Sequence, residues 1–436
     1  MRIWFLFLLF PPVSFSQKWT LEQCIDTALK NNTTIQKLQI ESFIADVNLK
    51  TAKRNQLPSV NSGAVHGYNW GQTIDPFTNQ FATNMVQYDN FYLSTSVILF
   101  SGLQNYHSIK ANETGVLQSD ANLEVSKRAI KMEIATAYLQ VLLNQNILDV
   151  SIQNAALTQV QYDRVKNLKD VNQATQLELD EVNAQLQLNH YEITKATNDV
   201  HYSKLLLQQL MNFNYSDSFE ISEYILESPD IKNISFNDST INTLPELASI
   251  DLGIQKQLLL VKSLKGRYYP TLLLGGSLGS GYSGNNKEYF PDGGSAPVAF
   301  NRQLTENFYQ SAQLTLNIPI FNKSVITNQV RISEYTLQAL VVDRTKEEMQ
   351  LKQKLEQLSM EITNESVQYS ALTKVNESLL LNYNNFKIRF ENGDATFTEL
   401  AEAQNKLIQS QSNLVQSEYQ LKFKATLLSF YLADDK

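Results

Sequence analysis

The chain has 436 residues, 44 Asp and Glu against 36 Lys and Arg, a net charge of -8 and one cysteine. An acidic balance without a Lys/Arg cluster excludes a nucleic-acid partner, and a lone cysteine excludes an internal disulfide. Charged residues are 18% of the chain, below the roughly 25% usual in soluble domains, and Gln, Asn, Ser and Thr take their place.

Arg2, the apolar run Ile3 to Phe10 and the small Ser14 and Ser16 predict a secretory signal over residues 1–16, with the mature chain starting at Gln17. That run is far short of the roughly 20 residues a spanning helix needs. Cys24 follows Glu22-Gln23, without the small apolar residues that precede a lipid-modified cysteine. No later stretch reaches the length of a membrane helix, so any contact with a bilayer falls to strands.

Glycine and proline outline the elements. No Gly occurs from Val116 to Leu252, no Pro from Phe77 to Ser228 and none after Pro319, whereas ten of the fifteen glycines lie between Gly63 and Gly71 or between Gly275 and Gly294. Helix interiors reject both residues, while turns and tight strands accept Gly. The chain also repeats itself. A shift of 221 pairs Phe100 with Phe321, Tyr162 with Tyr383, Ala174-Thr175 with Ala395-Thr396 and Glu178-Leu179 with Glu399-Leu400. Upstream, a shift of 212 pairs Ile35 with Leu247, Lys50 with Lys262, Lys53 with Lys265 and Pro58 with Pro270. Self-similarity of this kind marks two structural repeats.

In chain order, the first repeat (17–212) predicts a helix from Thr20 to Gln56, strands over 59–70 and 90–100, a long helix 103–168 and a return helix 175–212. Residues 213–244, with Pro229 and several Asn and Asp, predict a linker packed outside the main body. The second repeat (245–436) predicts a helix from Pro245 to Tyr268, strands 271–282 and 308–318, a long helix 324–389 and a return helix 396–432. Each long helix extends about 100 Å at 1.5 Å per residue. Ile130, Ile134, Ala137, Val141 and Leu148 recur at three- and four-residue steps, as in a coiled-coil-like wall.

From Phe308 to Ile318, Phe308, Ala312, Leu314, Leu316 and Ile318 share one face with Gln310, and Tyr309, Ser311, Gln313, Thr315 and Asn317 share the other. Phe91, Leu93, Val97 and Leu99 alternate similarly, and Tyr68, Trp70 and Tyr282 suit an aromatic girdle. The pattern fits a bilayer-spanning strand or a soluble half-buried one. Four strands cannot close a barrel and an open edge is not tolerated in lipid, so membrane strands require several chains.

The opening Trp19-Thr20-Leu21-Glu22-Gln23-Cys24-Ile25-Asp26-Thr27-Ala28-Leu29 with Asn31-Asn32, the Leu57-Pro58 and Tyr269-Pro270 pairs, Leu99-Phe100-Ser101-Gly102, Ile318-Pro319-Ile320-Phe321, and Gly393 with Glu399-Leu400 and Ala403-Gln404 together resemble the TolC-like outer-membrane efflux proteins. The resemblance covers essentially the whole mature chain. It implies a mainly α protein with membrane β: a homotrimer whose 12-stranded barrel, four strands per chain, continues into a periplasmic helical tunnel. It also implies the exit duct of a tripartite efflux or type I secretion system in a Gram-negative outer membrane. A periplasmic adaptor and an inner-membrane transporter would be its partners.

The turns 169–174 and 390–395 are expected at the tunnel mouth, with Asn172, Gln173, Phe390, Gly393 and Asp394 meeting the adaptor. Glu178 with Glu181 and Glu399 with Glu402 stand three residues apart, each pair on one helix face. Facing inward they would form cation-attracting rings; otherwise they complement the helix dipole. The phenol and arginine that latch the mouth of the best-known relative are replaced by Phe390 and Ala395. His66, His107, His190 and His201 show no metal-ligand spacing, and neither a phosphate loop nor a nucleophile motif occurs, so neither cofactor nor enzyme activity is expected. A periplasmic adaptor is the main alternative, although an adaptor has one helical hairpin rather than two, and a structural coiled-coil envelope protein is the other.

Overall fold

The computed structural model describes residues 18–82, 85–216, 218–224 and 241–432. The expected signal segment, and residues 225–240 of the expected linker, lie outside them. Contacts divide the chain into two compact units, one from 1–40, 121–248 and 345–436, the other from 41–120 and 249–344. Each unit thus draws on both repeats, so the repeat is a division of the sequence rather than of space.

Helix α1 spans Leu21–Asn31 and α2 Thr33–Arg54. These replace the single helix expected from Thr20 to Gln56. Thr20 opens α1 through a capping box with Gln23, and Asn32 divides the run. Asn32 is extended (φ -68°, ψ 122°); its N–H donates to Ala28 O, and its Oδ1 accepts from Thr34 N (2.8 Å) and Ile35 N (3.3 Å). One side chain therefore ends one helix and caps the next.

The first repeat continues with β1 (Ser59–Asn69), the short β2 (Thr73–Ile74) and β3 (Phe81–Ala82), β4 (Val86–Ser101), α3 (Gln104–Asp170) and α4 (Gln176–Leu210). The second has α5 (Pro245–Gly266), β5 (Thr271–Ser283), β6 (Lys287–Tyr289), β7 (Ser295–Pro297), α6 (Phe300–Glu306), β8 (Tyr309–Asn317), α7 (Val325–Asn392) and α8 (Phe397–Leu432). The strand expected at 90–100 starts at Val86, because Val86 to Asn90 continue the ladder opposite Asn69 to Val65. The repeat extends to backbone detail. Gly102 and Leu103 between β4 and α3, and Lys323 and Ser324 between β8 and α7, all have left-handed φ, from 52° to 64°. At Gly102 a side chain would also strike the carbonyl of Gly266, so glycine is required there.

In the unit built from 1–40, 121–248 and 345–436, Leu21, Cys24, Ala28 and Ile35 pack on Ile134, Tyr138 and Leu142. Residues 218–224 of the expected linker join this core instead of packing outside it. Trp19 bridges Ile221, Trp19 N donates to Glu220 O (2.8 Å), and Phe219 and Ile221 are buried. Burial pushes the Cys24 thiol up to about 12, so it stays an apolar, protonated core group.

In the other unit, β1, β4, β5 and β8 form one antiparallel sheet in that order. Directly opposed residues share a face. One face gathers Val60, Leu93, Val97, Leu274, Leu278 and Leu314, while the reverse gathers Asn61, Ser94, Ser96, Ser277, Ser311 and Thr315. Tyr68 and Tyr282 fall on the apolar face. A bulge between Ile98 and Phe100 places Phe100, rather than the expected Leu99, beside Leu272. On the polar face Tyr92 lies over Gly63, Tyr88 over Gly67 and Tyr309 over Gly279, so these phenols lie flat against the sheet.

Candidate functional site

Two features carry functional information: the bare sheet, and the two helix reversals. The sheet's apolar face is uncovered over most of its length. Leu314 and Leu316 are 62% and 59% exposed, and every residue of β8 is exposed. Among the described residues, β1 and β8 each have one strand neighbour, which leaves two open edges. Such edges are templates for further strands.

The reversals are built alike. After α3, Gln173 N donates to Leu168 O (2.7 Å) and Asn172 N to Lys169 O (2.8 Å), with Asn172 at φ 58°. After α7, Asp394 N donates to Arg389 O (2.8 Å) and Gly393 N to Phe390 O (3.2 Å), with Gly393 at φ 84°. Both are Schellman closures, which need a left-handed residue after the helix. A capping box follows each. Thr175 N and Oγ1 donate to Glu178 Oε2 (2.7 and 2.9 Å), and Thr396 N and Oγ1 to Glu399 Oε2 (2.8 and 3.0 Å). These bonds to Thr396, with Arg389 nearby, hold the Glu399 carboxyl below the usual carboxylate range.

The four candidate acids therefore separate. Glu178 and Glu399 close caps, Glu181 accepts from Thr398 Oγ1 of the other reversal (3.4 Å), and Glu402 pairs with Lys406 (2.7 Å). Glu402 also lines a groove of about 780 Å³ between α7 and α8, with Leu372, Val375, Leu379 and Ala401.

Contacts between the two hairpins supply what the sequence did not indicate. Arg164 of α3 lies over the Phe390 ring (5.2 Å) and its Nη2 donates to Glu391 O (2.8 Å). Phe390 meets Phe397 edge-on at 6.4 Å, and Phe397 is buried with Val165 and Val182 of the first hairpin. A neutral amide cluster, also buried, joins the hairpins further along. Gln404 Nε2 donates to Asn154 Oδ1 (2.6 Å) and Thr158 Oγ1 (3.0 Å), and Gln161 Nε2 donates to Gln404 Oε1 (2.7 Å). Burial raises the nearby Tyr383 hydroxyl above its ordinary value, against a bond from Gln161. The sequence carries no local signal for Arg164, since most positions differ at the offset of 221, where Asn385 stands.

An amphipathic sheet open at both edges, together with paired long helical hairpins, defines a membrane-channel protomer of the barrel-and-hairpin kind. The family model for outer membrane efflux proteins matches residues 24–212 and 239–433. The chain belongs to the outer membrane efflux protein family. Solved structures share the fold at low identity. The channel protein CusC matches at TM-score 0.82 and 13% identity, over 95% of this chain and 92% of that one. VceC, an outer membrane protein of Vibrio cholerae, matches at 0.78 and 13%, over 94% and 95%. The CmeC outer membrane channel of Campylobacter jejuni matches at 0.78 and 15%, over 94% and 85%. No curated protein sequence matches the chain significantly.

Proposed function

We propose that three copies of the chain close a 12-stranded barrel, four strands from each, and that their hairpins line a periplasmic passage through which cargo reaches the barrel. The observation that carries this reading is the four-stranded sheet with one apolar face, one polar face and two unpaired edges. Lipid removes the option of leaving backbone groups unpaired, and cyclic symmetry pairs β8 of one copy with β1 of the next. The flat phenols over Gly63, Gly67 and Gly279 then leave the bore clear. The protein performs no chemistry. An inner-membrane transporter supplies the energy, and a periplasmic adaptor grips the reversals at Asn172, Gln173, Phe390, Gly393 and Asp394.

At the mouth, Glu399 and Glu402 of three copies, with Glu178 and Glu181 beside them, present carboxylates that favour cations. Arg164 on Phe390 and Glu391 serves as the latch, with the face of Phe390 in place of a phenol hydroxyl.

Cysteines at Leu314 and Thr315 test the barrel. In membranes a water-soluble thiol reagent should label Thr315→Cys and spare Leu314→Cys, and equal labelling would sink the assignment of faces.

A further inference from the structure

The two segments that join the strand pairs differ in charge and in the face they cover. The second, 284–308, carries Lys287, Glu288, Asp292, Arg302 and Glu306, with Arg302 paired to Glu288 (2.9 Å) and Glu306 (2.7 Å). Its helix α6 sets Phe300 against Phe91 and Tyr282, both on the sheet's apolar face. The first segment, 70–82, contains one charged residue, Asp75, which is 0% exposed.

Asp75 anchors its segment to the opposite face. Its Oδ1 accepts from Phe77 N (2.9 Å) and Thr78 N (3.2 Å), and its Oδ2 accepts from Ser283 Oγ. Gln303 fixes Ser283 in turn, accepting from its N–H (2.9 Å) and donating to its carbonyl (3.1 Å). The Phe77 ring occupies the space that a side chain on Gly281 would fill. Gly281 and Ser283 lie on the polar face with Ser277 and Thr315. The first segment is therefore folded over the face that a closed barrel would enclose. Its hairpin, β2 with β3, presents the cross-strand pair Ile74 and Phe81, 53% and 77% exposed.

We infer that this hairpin is an apolar constriction of the channel exit, in which Ile74 and Phe81 of each copy meet the same residues of the other copies. The inference rests on the three-copy closure proposed above. A buried carboxylate and a seated aromatic ring fix the hairpin on the lumenal face, and three-fold symmetry then places three identical hairpins around one axis. With the only charge buried, the hairpins do not repel, and their exposed apolar groups bury one another. The charged second segment suits water instead. A ring of apolar side chains in a pore impedes hydrated ions by dewetting.

The test uses the full chain carrying Cys24→Ser. Phe81→Cys, treated in outer membranes with a short bismaleimide, should link copies of the chain, whereas Glu288→Cys should not. In planar bilayers Ser283→Ala and Phe77→Ala, each of which frees the hairpin, should raise unitary conductance about twofold or more, while Glu288→Gln leaves it unchanged. Native mass on the same samples reports whether three copies are present. An intact three-copy assembly with no Phe81 link between copies and unchanged conductance overturns the constriction and leaves the barrel standing. So does a Phe81 link to a different protein. An assembly of any other size overturns the closure reading and this inference with it.

Discussion

The two helix reversals, Leu168 to Glu178 and Arg389 to Glu399, have the same backbone and different surroundings. Each ends its long helix with a Schellman closure and starts its return helix with a capping box, at positions related by the offset of 221. They differ in the left-handed residue, Asn172 in one and Gly393 in the other, and in what holds them. The second offers Phe390 and Phe397, and Arg164 from the first hairpin holds it at Phe390 and Glu391. The shared part is local chemistry that any tight helix reversal requires. What distinguishes the copies is long-range, the contacts that Arg164 makes with Phe390 and Glu391.

Removing Arg164 should give the largest effect, because it strips the second reversal of a charge-assisted bond and a cation–π contact at once. We expect Arg164→Ala to loosen the second hairpin by about 1–3 kcal/mol, seen as more frequent channel opening in bilayers. Asn385→Ala, at the equivalent place in the second repeat, should change little. Equal effects would break the asymmetry. The next effect concerns backbone strain. Alanine at Gly393, where φ is 84°, should cost about 1–2 kcal/mol in thermal stability. Asn172→Gly should be close to neutral, since both residues accept a left-handed φ. If Gly393→Ala is neutral, the second reversal is not held in this closure.

The smallest effect concerns Glu399. A carboxyl held below its ordinary value contributes fully above the unfolded pKa and is lost as pH falls through the folded one. The second cap should therefore persist at neutral pH and weaken below the ordinary value of 4.5, read as faster amide exchange at Thr396 after correction for intrinsic rates. If Glu399 and Glu402 also face the passage, replacing both with Gln should lower cation preference in a salt gradient. An unchanged reversal potential with the assembly intact would mean that they serve the helix alone.

Much of this arrangement was legible in the sequence because it is periodic or local. The 221 offset marked both reversals, since a left-handed residue and a Thr-x-x-Glu box are local signals. Strand alternation marked β8, since lipid and water impose opposite demands on its faces. The division of the first helix at Asn32 was hidden, because Asn32 adds a cap without disturbing the apolar spacing around it. Arg164 was hidden because its partners, Phe390 and Glu391, are more than 220 residues away in the chain. The lock of Asp75 on Ser283 was likewise beyond a reading of local pattern, since the two are 208 residues apart.

In the proposed closure one chain supplies a third of a barrel. The most direct test of that closure is the native mass of the purified protein in detergent, measured together with its β content. Three copies of the chain are expected, stable while the sheet is intact. A monomer that keeps its sheet would contradict it, because the open edges of β1 and β8 would then need no partner.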